Sequence, residues 1–462
     1  MDVNNNKIES IVQSAKGIYF IGIGGIGMSA LARYFQSRGV KVSGYDRTQT
    51  PLTLALEKSG MSIHYEENVS AIPKEVSVVV YTPAVPQHHA ELVYYKEHGY
   101  EVVKRSDVLQ WITESSFNIC VGGTHGKTTI TTMVAHLLRH SGYGCNAFLG
   151  GISANYGTNF WSSEKNVAVI EADEYDRSFL KLVPDIAIVT AIDADHLDIY
   201  GTEEEVGNAF VQFSQRVKKG GYLISKYGIN RDADLKGEHH YRYALSEPAA
   251  DVHVTGLEVK NGSYRYDVVS KDWQMKDVVL HMGGLHNVEN SIAAITVAKL
   301  LDIDDDKIKA ALADFKGVKR RFEYYIREKG RVLIDDYAHH PEELRALITG
   351  VHSLYGKEKC TVIFQPHLFS RTRDFADAFA ESLDLADEVI LLPIYPAREL
   401  PMEGVTSELI GSKMKKAKVH IMSKEEMKTW IMQHKPGLTV MAGAGDIDAL
   451  VEPVKEMLLS SL

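Results

Sequence analysis

The chain has 462 residues, 45% hydrophobic and 24% charged, a composition ordinary for a soluble globular protein of about three domains. Its formal net charge of −10 argues against a nucleic-acid-binding protein, whose contact surface would be basic. Cys120, Cys145 and Cys360 show neither metal-ligand nor disulfide spacing, which predicts a reducing, cytoplasmic location. The polar N-terminus does not resemble a signal peptide, and no apolar run reaches membrane-spanning length.

A glycine fingerprint follows the first predicted strand, residues 17–21. A helix is predicted after it over residues 28–37, and a second strand over 40–45. The spacing is G-x-G-x-x-G with an acidic residue about 20 positions on, as in dinucleotide-binding folds. The residues concerned are Gly22, Gly24, Gly27 and Asp46. The alternative is a glycine-rich turn that binds no ligand.

The most informative motif is a second glycine loop. Residues 117–121 predict a buried strand, residues 122–129 read GGTHGKTT, and a helix-forming stretch follows. Glycines let backbone N–H groups approach a phosphate, and the helix N-terminus adds partial positive charge. Lys127 can reach the terminal phosphates, and the Thr128 hydroxyl can ligate Mg²⁺. A standard P-loop has glycine at the position of Val121, so an ordinary turn with a surface lysine is the alternative.

Acidic residues follow two further predicted strands, residues 167–170 and 186–190. In open α/β sheets, ligands bind beyond the carboxyl ends of the strands, so these side chains should lie near the bound phosphates. Carboxylate oxygens suit Mg²⁺, whereas a histidine on spacing alone is more readily a hydrogen-bonded loop residue. The residues are Glu171, Asp173, Glu174, Asp195, His196 and Asp198.

The rest of the chain predicts a β-hairpin around Asn261 and Gly262, a helix near 290–301, and a further mostly parallel sheet. The strands of that sheet are predicted at 332–335, 361–364, 389–392 and 439–441. Arg320 closes the middle region, and His367 and Arg371 follow a strand of the last one. A basic run is often a solvated face, but the position after a strand end favours a function for Arg371.

Two classes of enzyme and one class of binding protein fit these motifs. The first is an ATP-dependent synthetase acting on a bulky anionic substrate, and the second is a dehydrogenase that binds NAD at the fingerprint. The third is a non-catalytic nucleotide-gated switch. The phosphate loop with its acidic neighbours favours the synthetase, because hydride transfer needs neither feature. Turnover of ATP only with a second substrate distinguishes the three.

The ordered motifs resemble those of the Mur ligases of bacterial peptidoglycan synthesis, almost from end to end. Beyond the two glycine loops, the matching segments are EADE at 171–174, DHLD at 195–198, GLHN at 284–287, RRF at 320–322, DDYAHHP at 335–341, FQPH at 364–367 and GAGD at 443–446.

The resemblance implies an α/β protein of three domains, with a Rossmann-like N-terminal domain (1–113), a central P-loop ATPase-like domain (114–323) and a Rossmann-like C-terminal domain (324–462). The first would bind UDP, the second ATP, and the third the amino acid. ATP would phosphorylate the lactyl carboxylate of UDP-N-acetylmuramate, and the amine of L-alanine would attack the acyl phosphate. We expect a cytoplasmic monomer or weak homodimer that needs ATP and Mg²⁺, binds no nucleic acid and has no membrane span.

The resemblance also assigns roles to residues. Lys127 would contact phosphate, Thr128 and Glu174 would hold Mg²⁺, His196 would help to hold a second Mg²⁺, and His125 would lie near the reacting carboxylate. Arg320 would approach the phosphates, and His367 and Arg371 would bind the amino acid. The remaining nucleotide-binding residues would be Gly123, Thr124, Gly126, Thr129, His286, Asn287 and Asn290, and those for UDP would be Gly22, Gly24, Gly27 and Asp46.

Three departures and one alternative remain within the family. Related members often carry Asn at the position of Ala191, and many carry a basic or polar residue at the position of Leu368. No lysine occurs between Leu197 and Val217, so the carbamoylated lysine of later ligases is absent. The alternative is the recycling ligase that attaches a tripeptide to the same nucleotide sugar. The segment GIGGIGMS at 22–29 resembles the alanine-adding member better.

Overall fold

The computed structural model describes residues 7–14, 16–193, 197–260, 262–356, 358–397 and 399–460. Contacts divide the chain into two compact units. The first comprises Met1–Thr255, Val268–Met275 and Glu289–Leu312, and the second comprises Gly256–Asp267, Lys276–Val288 and Ala313–Leu462. Among the described helices, each is too short or too polar to cross a bilayer.

A five-stranded parallel sheet forms the N-terminal part of the first unit, in the order β3-β2-β1-β4-β5. Its strands are β1 (Gly17–Ile21), β2 (Val42–Tyr45), β3 (Ser62–His64), β4 (Val76–Tyr81) and β5 (Val102–Lys104). Its helices are α1 (Lys7–Gln13), α2 (Ile26–Ser37), α3 (Pro51–Lys58), α4 (Ala90–Glu97) and α5 (Arg105–Ser115). The chain order reverses between β1 and β4, which places the ligand crevice of such a sheet beyond the end of β1.

A ten-stranded sheet follows, in the order β15-β14-β13-β12-β11-β10-β6-β9-β7-β8. Its strands are β6 (Phe117–Gly122), β7 (Asn146–Phe148), β8 (Phe160–Trp161), β9 (Val167–Glu171), β10 (Ile186–Val189), β11 (Tyr222–Lys226), β12 (His239–Ala244), β13 (Val252–Lys260), β14 (Ser263–Ser270) and β15 (Gln274–Leu280). Its helices are α6 (Lys127–His140), α7 (Leu197–Tyr200), α8 (Glu203–Ser214), α9 (Leu285–Leu300) and α10 (Asp305–Asp314). Strand β6 runs parallel between β9 and β10, so both neighbours end beside the loop that follows β6.

The last sheet has six strands in the order β16-β17-β21-β18-β19-β20, parallel except for the β16–β17 pair. Its strands are β16 (Glu323–Glu328), β17 (Arg331–Asp336), β18 (Cys360–Phe364), β19 (Glu388–Leu391), β20 (Lys418–Ile421) and β21 (Leu438–Ala442). Its helices are α11 (Pro341–Tyr355), α12 (Phe369–Asp374), α13 (Ala376–Leu383), α14 (Ser407–Gly411), α15 (Lys424–His434) and α16 (Val451–Leu459).

The predicted elements are confirmed with small changes at their ends. The predicted strand at 40–45 begins at Val42, and the helix predicted near 290–301 begins five residues earlier, at Leu285. Gly284, with φ +88°, precedes that helix and marks its start. The hairpin of β13 and β14 is present, and Asn261 of its predicted turn lies outside the described residues.

Each unit has its own buried core. In the first unit, Phe20 and Phe35 belong to one continuous cluster with Phe179, Phe210 and Phe213. In the second, Leu333, Ile363, Ile390 and Met441 pack together between the sheet and its helices. The strands at the centre of each sheet are buried on both faces, which is why their sequences are nearly continuous apolar runs.

Candidate functional site

The loop between β6 and α6 has the backbone of a phosphate-binding loop. Gly123 has φ +138°, and a β-carbon there would lie 2.0 Å from the hydroxyl oxygen of Thr190. Gly126, with φ +78°, directly precedes the first helical residue, Lys127. A helix N-terminus with glycine-borne amides presents N–H groups and partial positive charge to an anion. Thr124 and Thr129 are buried within the same segment.

Lys127 is held at this loop by two acceptors. Its Nζ donates to the carbonyl oxygen of Gly123 at 2.7 Å and to Oε1 of Glu174 at 2.7 Å. The Glu174 side chain is only 1% exposed, and burial raises the pKa of its carboxyl while the Lys127 ammonium opposes that rise. An ammonium has three N–H donors, and these two bonds use two of them.

Thr128 contacts a different carboxylate. Its Oγ1 donates to Oε1 of Glu171 at 2.9 Å, and the other oxygen of Glu171 accepts from the Gly150 N–H at 3.0 Å. A hydroxyl and two carboxylates beside a phosphate loop are the oxygen ligands that Mg²⁺ prefers, so the residues present fit that ion. Within the described residues no group of three or more His, Cys, Asp or Glu side chains could hold a metal by itself. Mg²⁺ usually completes its shell with phosphate oxygens and water.

The other predicted residues of this loop differ in placement. His125 is 75% exposed, and its Nε2 lies 3.6 Å from Oδ2 of Asp193, which also accepts from the Thr124 hydroxyl at 3.1 Å. Asp195 and His196 lie outside the described residues.

Ala191, where related family members often carry Asn, contacts the glycine loop through its backbone. Its carbonyl oxygen accepts a hydrogen bond from the Thr124 N–H at 3.0 Å.

The predicted nucleotide segment lies at the start of α9. A β-carbon at Gly126 would lie 3.2 Å from Oδ1 of Asn290, so Asn290 is beside the phosphate loop in the first unit. His286 and Asn287 belong to the second unit, where the Asn287 side-chain amide donates to the Gly283 carbonyl at 2.6 Å.

Asp46 forms a hydrogen bond to the fingerprint loop that follows β1. Oδ2 of Asp46 accepts from the Gly24 N–H at 2.7 Å, and Gly22 has φ +85°. A β-carbon at Gly27 would lie 2.3 Å from Nη1 of Arg105, so this guanidinium covers the loop. Arg105 also pairs with Asp173 at 3.2 Å, and both line a cavity of about 400 Å³ beside the fingerprint.

Sequence reasoning missed Arg105. The signal was present, because two consecutive valines begin the short strand at residues 102–104 and a basic residue follows it directly. The same strand-end rule that selected Arg371 would have selected this one.

The C-terminal sheet brings His367 and Arg371 together. Nη1 of Arg371 lies 3.5 Å from Nδ1 of His367, whose ring stacks on Tyr395. Burial lowers the pKa of His367, and the Arg371 charge lowers it further, which favours the neutral imidazole. Arg371 has no carboxylate within 4 Å in the described part of the chain. Leu368 adopts φ +72° between them, in the left-handed region that costs strain for a branched side chain.

Arg320 faces carboxylates at the ends of the C-terminal strands. Its Nε lies 3.4 Å from Oδ2 of Asp335, its Nη1 lies 3.6 Å from Oδ2 of Asp448, and Nη2 donates to the Gly443 carbonyl. Its backbone has φ +59°. These contacts hold Arg320 within the second unit, and its predicted role toward phosphate stays a prediction.

We predict a pH-dependent stability difference between the wild type and Asp335→Asn. Burial raises the pKa of Asp335 from 3.8 to about 7, although Arg320 opposes the rise. Between these values the unfolded chain has released the proton and the folded chain has kept it. The contribution of Asp335 to the free energy of unfolding therefore falls with rising pH in this window, by about 1.4 kcal/mol per pH unit. The Tm of the wild type minus that of Asp335→Asn should fall from pH 4 to pH 7 and then level.

Glu388→Gln supplies a control of opposite sign. Burial acts against the Glu388 carboxylate, but hydrogen bonds from Lys359, His420 and Lys418 hold its pKa at about 2, below the ordinary 4.5. Its stabilising contribution is present above pH 4.5 and is lost as the pH falls toward 2. A Tm difference for Asp335→Asn that does not change between pH 4 and pH 7 would contradict the assignment.

Three sequence models of known domains match successive parts of the chain. They are the Mur ligase family catalytic domain at residues 17–116, the Mur ligase middle domain at 121–298, and the Mur ligase glutamate ligase domain at 320–445. The N-terminal, central and C-terminal domains of the α/β architecture are thereby established.

Similar proteins match over nearly the whole length. A UDP-N-acetylmuramate–L-alanine ligase of Parabacteroides distasonis is 46% identical over 98% of this chain and 99% of its own. One of Flavobacterium johnsoniae is 46% identical over 99% of each. Among solved structures, the UDP-N-acetylmuramate–alanine ligase of Thermotoga maritima has a TM-score of 0.80 at 28% identity, covering 96% of this chain and 98% of its own. The chain belongs to the Mur ligase family.

Proposed function

We propose that the protein uses ATP to join L-alanine to the lactyl carboxylate of UDP-N-acetylmuramate through an acyl phosphate, in peptidoglycan precursor synthesis. The observation that carries this proposal is the glycine loop, where Lys127 and Thr128 each contact a carboxylate. It lies in a chain that matches alanine-adding ligases along nearly its full length.

The phosphate loop accounts for the first half of the reaction. A carboxylate is a poor electrophile, and transfer of the γ-phosphoryl group of ATP to its oxygen makes that oxygen a leaving group. Such transfer needs mainly positioning and charge neutralisation. The amides before α6 and the Lys127 ammonium supply both. Thr128, Glu171 and Glu174 would hold Mg²⁺, with His196 assigned to a second ion, and the ions would neutralise further phosphate charge.

The second half needs an amine held next to the acyl phosphate. The free electron pair of L-alanine attacks the carbonyl carbon, a tetrahedral intermediate forms, and the carbon–oxygen bond to phosphate breaks. The products are the amide, phosphate and ADP, and one proton leaves the nitrogen. His125, exposed at the loop, is assigned to the reacting carboxylate, and Arg371 to the carboxylate of L-alanine.

Oxygen labelling tests the acyl phosphate directly. UDP-N-acetylmuramate with ¹⁸O in its lactyl carboxylate should transfer one labelled oxygen to the phosphate released in each turnover, as read by mass spectrometry. Released phosphate without label would overturn the proposed route.

The fingerprint should bind UDP rather than a nicotinamide nucleotide. Such loops bind any diphosphate, and the remaining motifs supply ATP chemistry and no hydride acceptor. We expect UDP-N-acetylmuramate to bind with a Kd at least tenfold below that of NADH in calorimetry, and Arg105→Gln to weaken it because its guanidinium covers Gly27. Tight NADH binding that UDP-N-acetylmuramate displaces would contradict this prediction.

Glu174→Gln and His196→Ala should raise the Mg²⁺ concentration needed for half-maximal turnover by about tenfold, because each removes an assigned ligand. Turnover should be measured against Mg²⁺ at saturating ATP. Glu205→Gln is the matched control, since that carboxylate pairs with Arg177 on the surface. If both variants keep the Mg²⁺ dependence of the control, these residues are structural only.

We also propose a cellular location, domain boundaries and an oligomeric state for the protein. Its nucleotide substrates and its three free, buried cysteines support a cytoplasmic location. The domain boundaries proposed are 1–113, 114–323 and 324–462, and the oligomeric state proposed is a monomer or weak homodimer.

A further inference from the structure

A second cavity of about 740 Å³ lies away from both glycine loops. It is lined by the last turns of α2 and α6 and by β8, including Arg33, Arg139, Phe160 and Trp161. Both helices begin at a glycine loop and end at this cavity. Because α6 has 14 residues, the cavity and the phosphate loop are about 20 Å apart along that helix.

Arg33 brings an uncompensated charge to the cavity. Its side chain is partly buried, and its Nε makes no hydrogen bond within the described residues. No carboxylate lies within 4 Å of its guanidinium in that part of the chain. Burial alone lowers the pKa of Arg33, which is the signature of a cation that has lost water without gaining an anion. Burying an N–H donor without a hydrogen-bond acceptor costs free energy, and a bound anion would supply that acceptor.

Arg139 brings a second guanidinium, stacked on aromatic rings. Its Cζ lies 4.1 Å from the centroid of the Tyr156 ring and 5.2 Å from that of Trp161. The described residues place no carboxylate within 4 Å of it. The N–H donors of a guanidinium lie in its plane. When its face stacks on an aromatic ring, these in-plane donors can still bind an anion.

The aromatic wall is firmly held. Phe160 packs against Tyr34 of α2 and Phe148, and Trp161 packs edge-on against Tyr156. The indole N–H of Trp161 is also buried, and it faces the Cys145 thiol. The cavity thus combines a rigid aromatic side, two guanidiniums and a buried N–H donor.

We propose that this cavity binds a small phosphorylated molecule, with the phosphate between Arg33 and Arg139 and the rest of the ligand against Trp161. Arginine forks match phosphate oxygens bidentately, and the volume lies in the range of small-molecule sites. The protein carries a net charge of −10, so two cations without acidic partners form a local exception to its surface charge. This proposal does not depend on the ligase reaction. It is tested by measuring ligand binding to the cavity.

Inorganic pyrophosphate is a suitable probe, and calorimetry on the full chain measures its binding. We expect a binding event that persists in Lys127→Ala and in Arg105→Gln, which weaken the two glycine loops, and that weakens at least tenfold in Arg33→Gln and in Arg139→Gln. Arg38→Gln is the matched control, because Arg38 follows the same helix but is paired with Glu9 at 2.6 Å. Identical isotherms for the wild type, Arg33→Gln and Arg139→Gln would overturn the proposal, as would loss of all binding in Lys127→Ala.

Two further measurements test the geometry and the class of ligand. Arg33→Lys keeps the charge and the fold but not the fork, so it should bind pyrophosphate more weakly than the wild type and more tightly than Arg33→Gln. Pyrophosphate should also change the fluorescence of the wild type and not that of Trp161→Phe at the same concentrations. Tighter binding of a polyglutamate peptide than of pyrophosphate, lost in both arginine variants, would assign the cavity to an acidic protein and overturn the small-molecule proposal.

Discussion

Replacing Lys127 with alanine should lower ATP-dependent ligation by about 10³-fold, the largest loss expected from any single side chain of the chain. Lys127 is bonded within the glycine loop through the Gly123 carbonyl, and its third N–H donor is available to a phosphate oxygen. Without the Lys127 ammonium, the negative charge on the transferring phosphoryl group is no longer neutralised, and the Glu174 carboxylate repels it.

The fold of Lys127→Ala must be checked, because Glu174 is buried and loses its cation. Circular dichroism and a thermal melt establish folding, and single-turnover phosphate transfer measures the chemistry. Lys299→Ala is a matched control, since Lys299 forms an ion pair of the same length with Asp305 outside the loop. A folded Lys127→Ala protein with turnover close to that of the control would remove the phosphate-loop assignment.

Arg371→Lys should raise the KM for L-alanine by about 30- to 100-fold while the KM values for ATP and UDP-N-acetylmuramate change little. L-Alanine offers an amine, a methyl group and a carboxylate, and the amine must stay free to attack. A guanidinium grips the carboxylate through two parallel bonds, and loss of that charge-assisted geometry costs about 2–3 kcal/mol. Arg371 and His367 lie side by side after β18.

Arg373→Lys is the matched control, because Arg373 lies on the same short helix but is exposed and bonded to Asp374 at 2.7 Å. Steady-state kinetics with each substrate varied in turn separates the KM values. Should Arg371→Lys lose nucleotide affinity and keep its KM for L-alanine, Arg371 would belong to the phosphate site instead.

The strands and loops of this fold were predictable because their signals are local. Strand β1 was expected at 17–21 and is present at Gly17–Ile21, since a parallel strand at the centre of a covered sheet is a continuous apolar run. The two glycine loops were placed by their spacing, and Gly123 and Gly126 do adopt positive φ.

The pairing of side chains around the loops was not predictable, because it depends on sheet order. Thr128 contacts Glu171 and Lys127 contacts Glu174, since β9 lies next to β6. Arg105 covers Gly27 because β5 and β1 both lie beside β4 in the first sheet. The local sequence does not show which strands are neighbours in either sheet.

Phosphate release with UDP-N-acetylmuramate and a panel of acceptors tests the central claim most directly. The panel comprises L-alanine, L-serine, glycine and the tripeptide used by the recycling ligase. We predict one phosphate and one amide per ATP only when ATP, UDP-N-acetylmuramate and an amino acid are all present, with the highest kcat/KM for L-alanine. Preference for the tripeptide, or phosphate release that does not require UDP-N-acetylmuramate, would contradict the account.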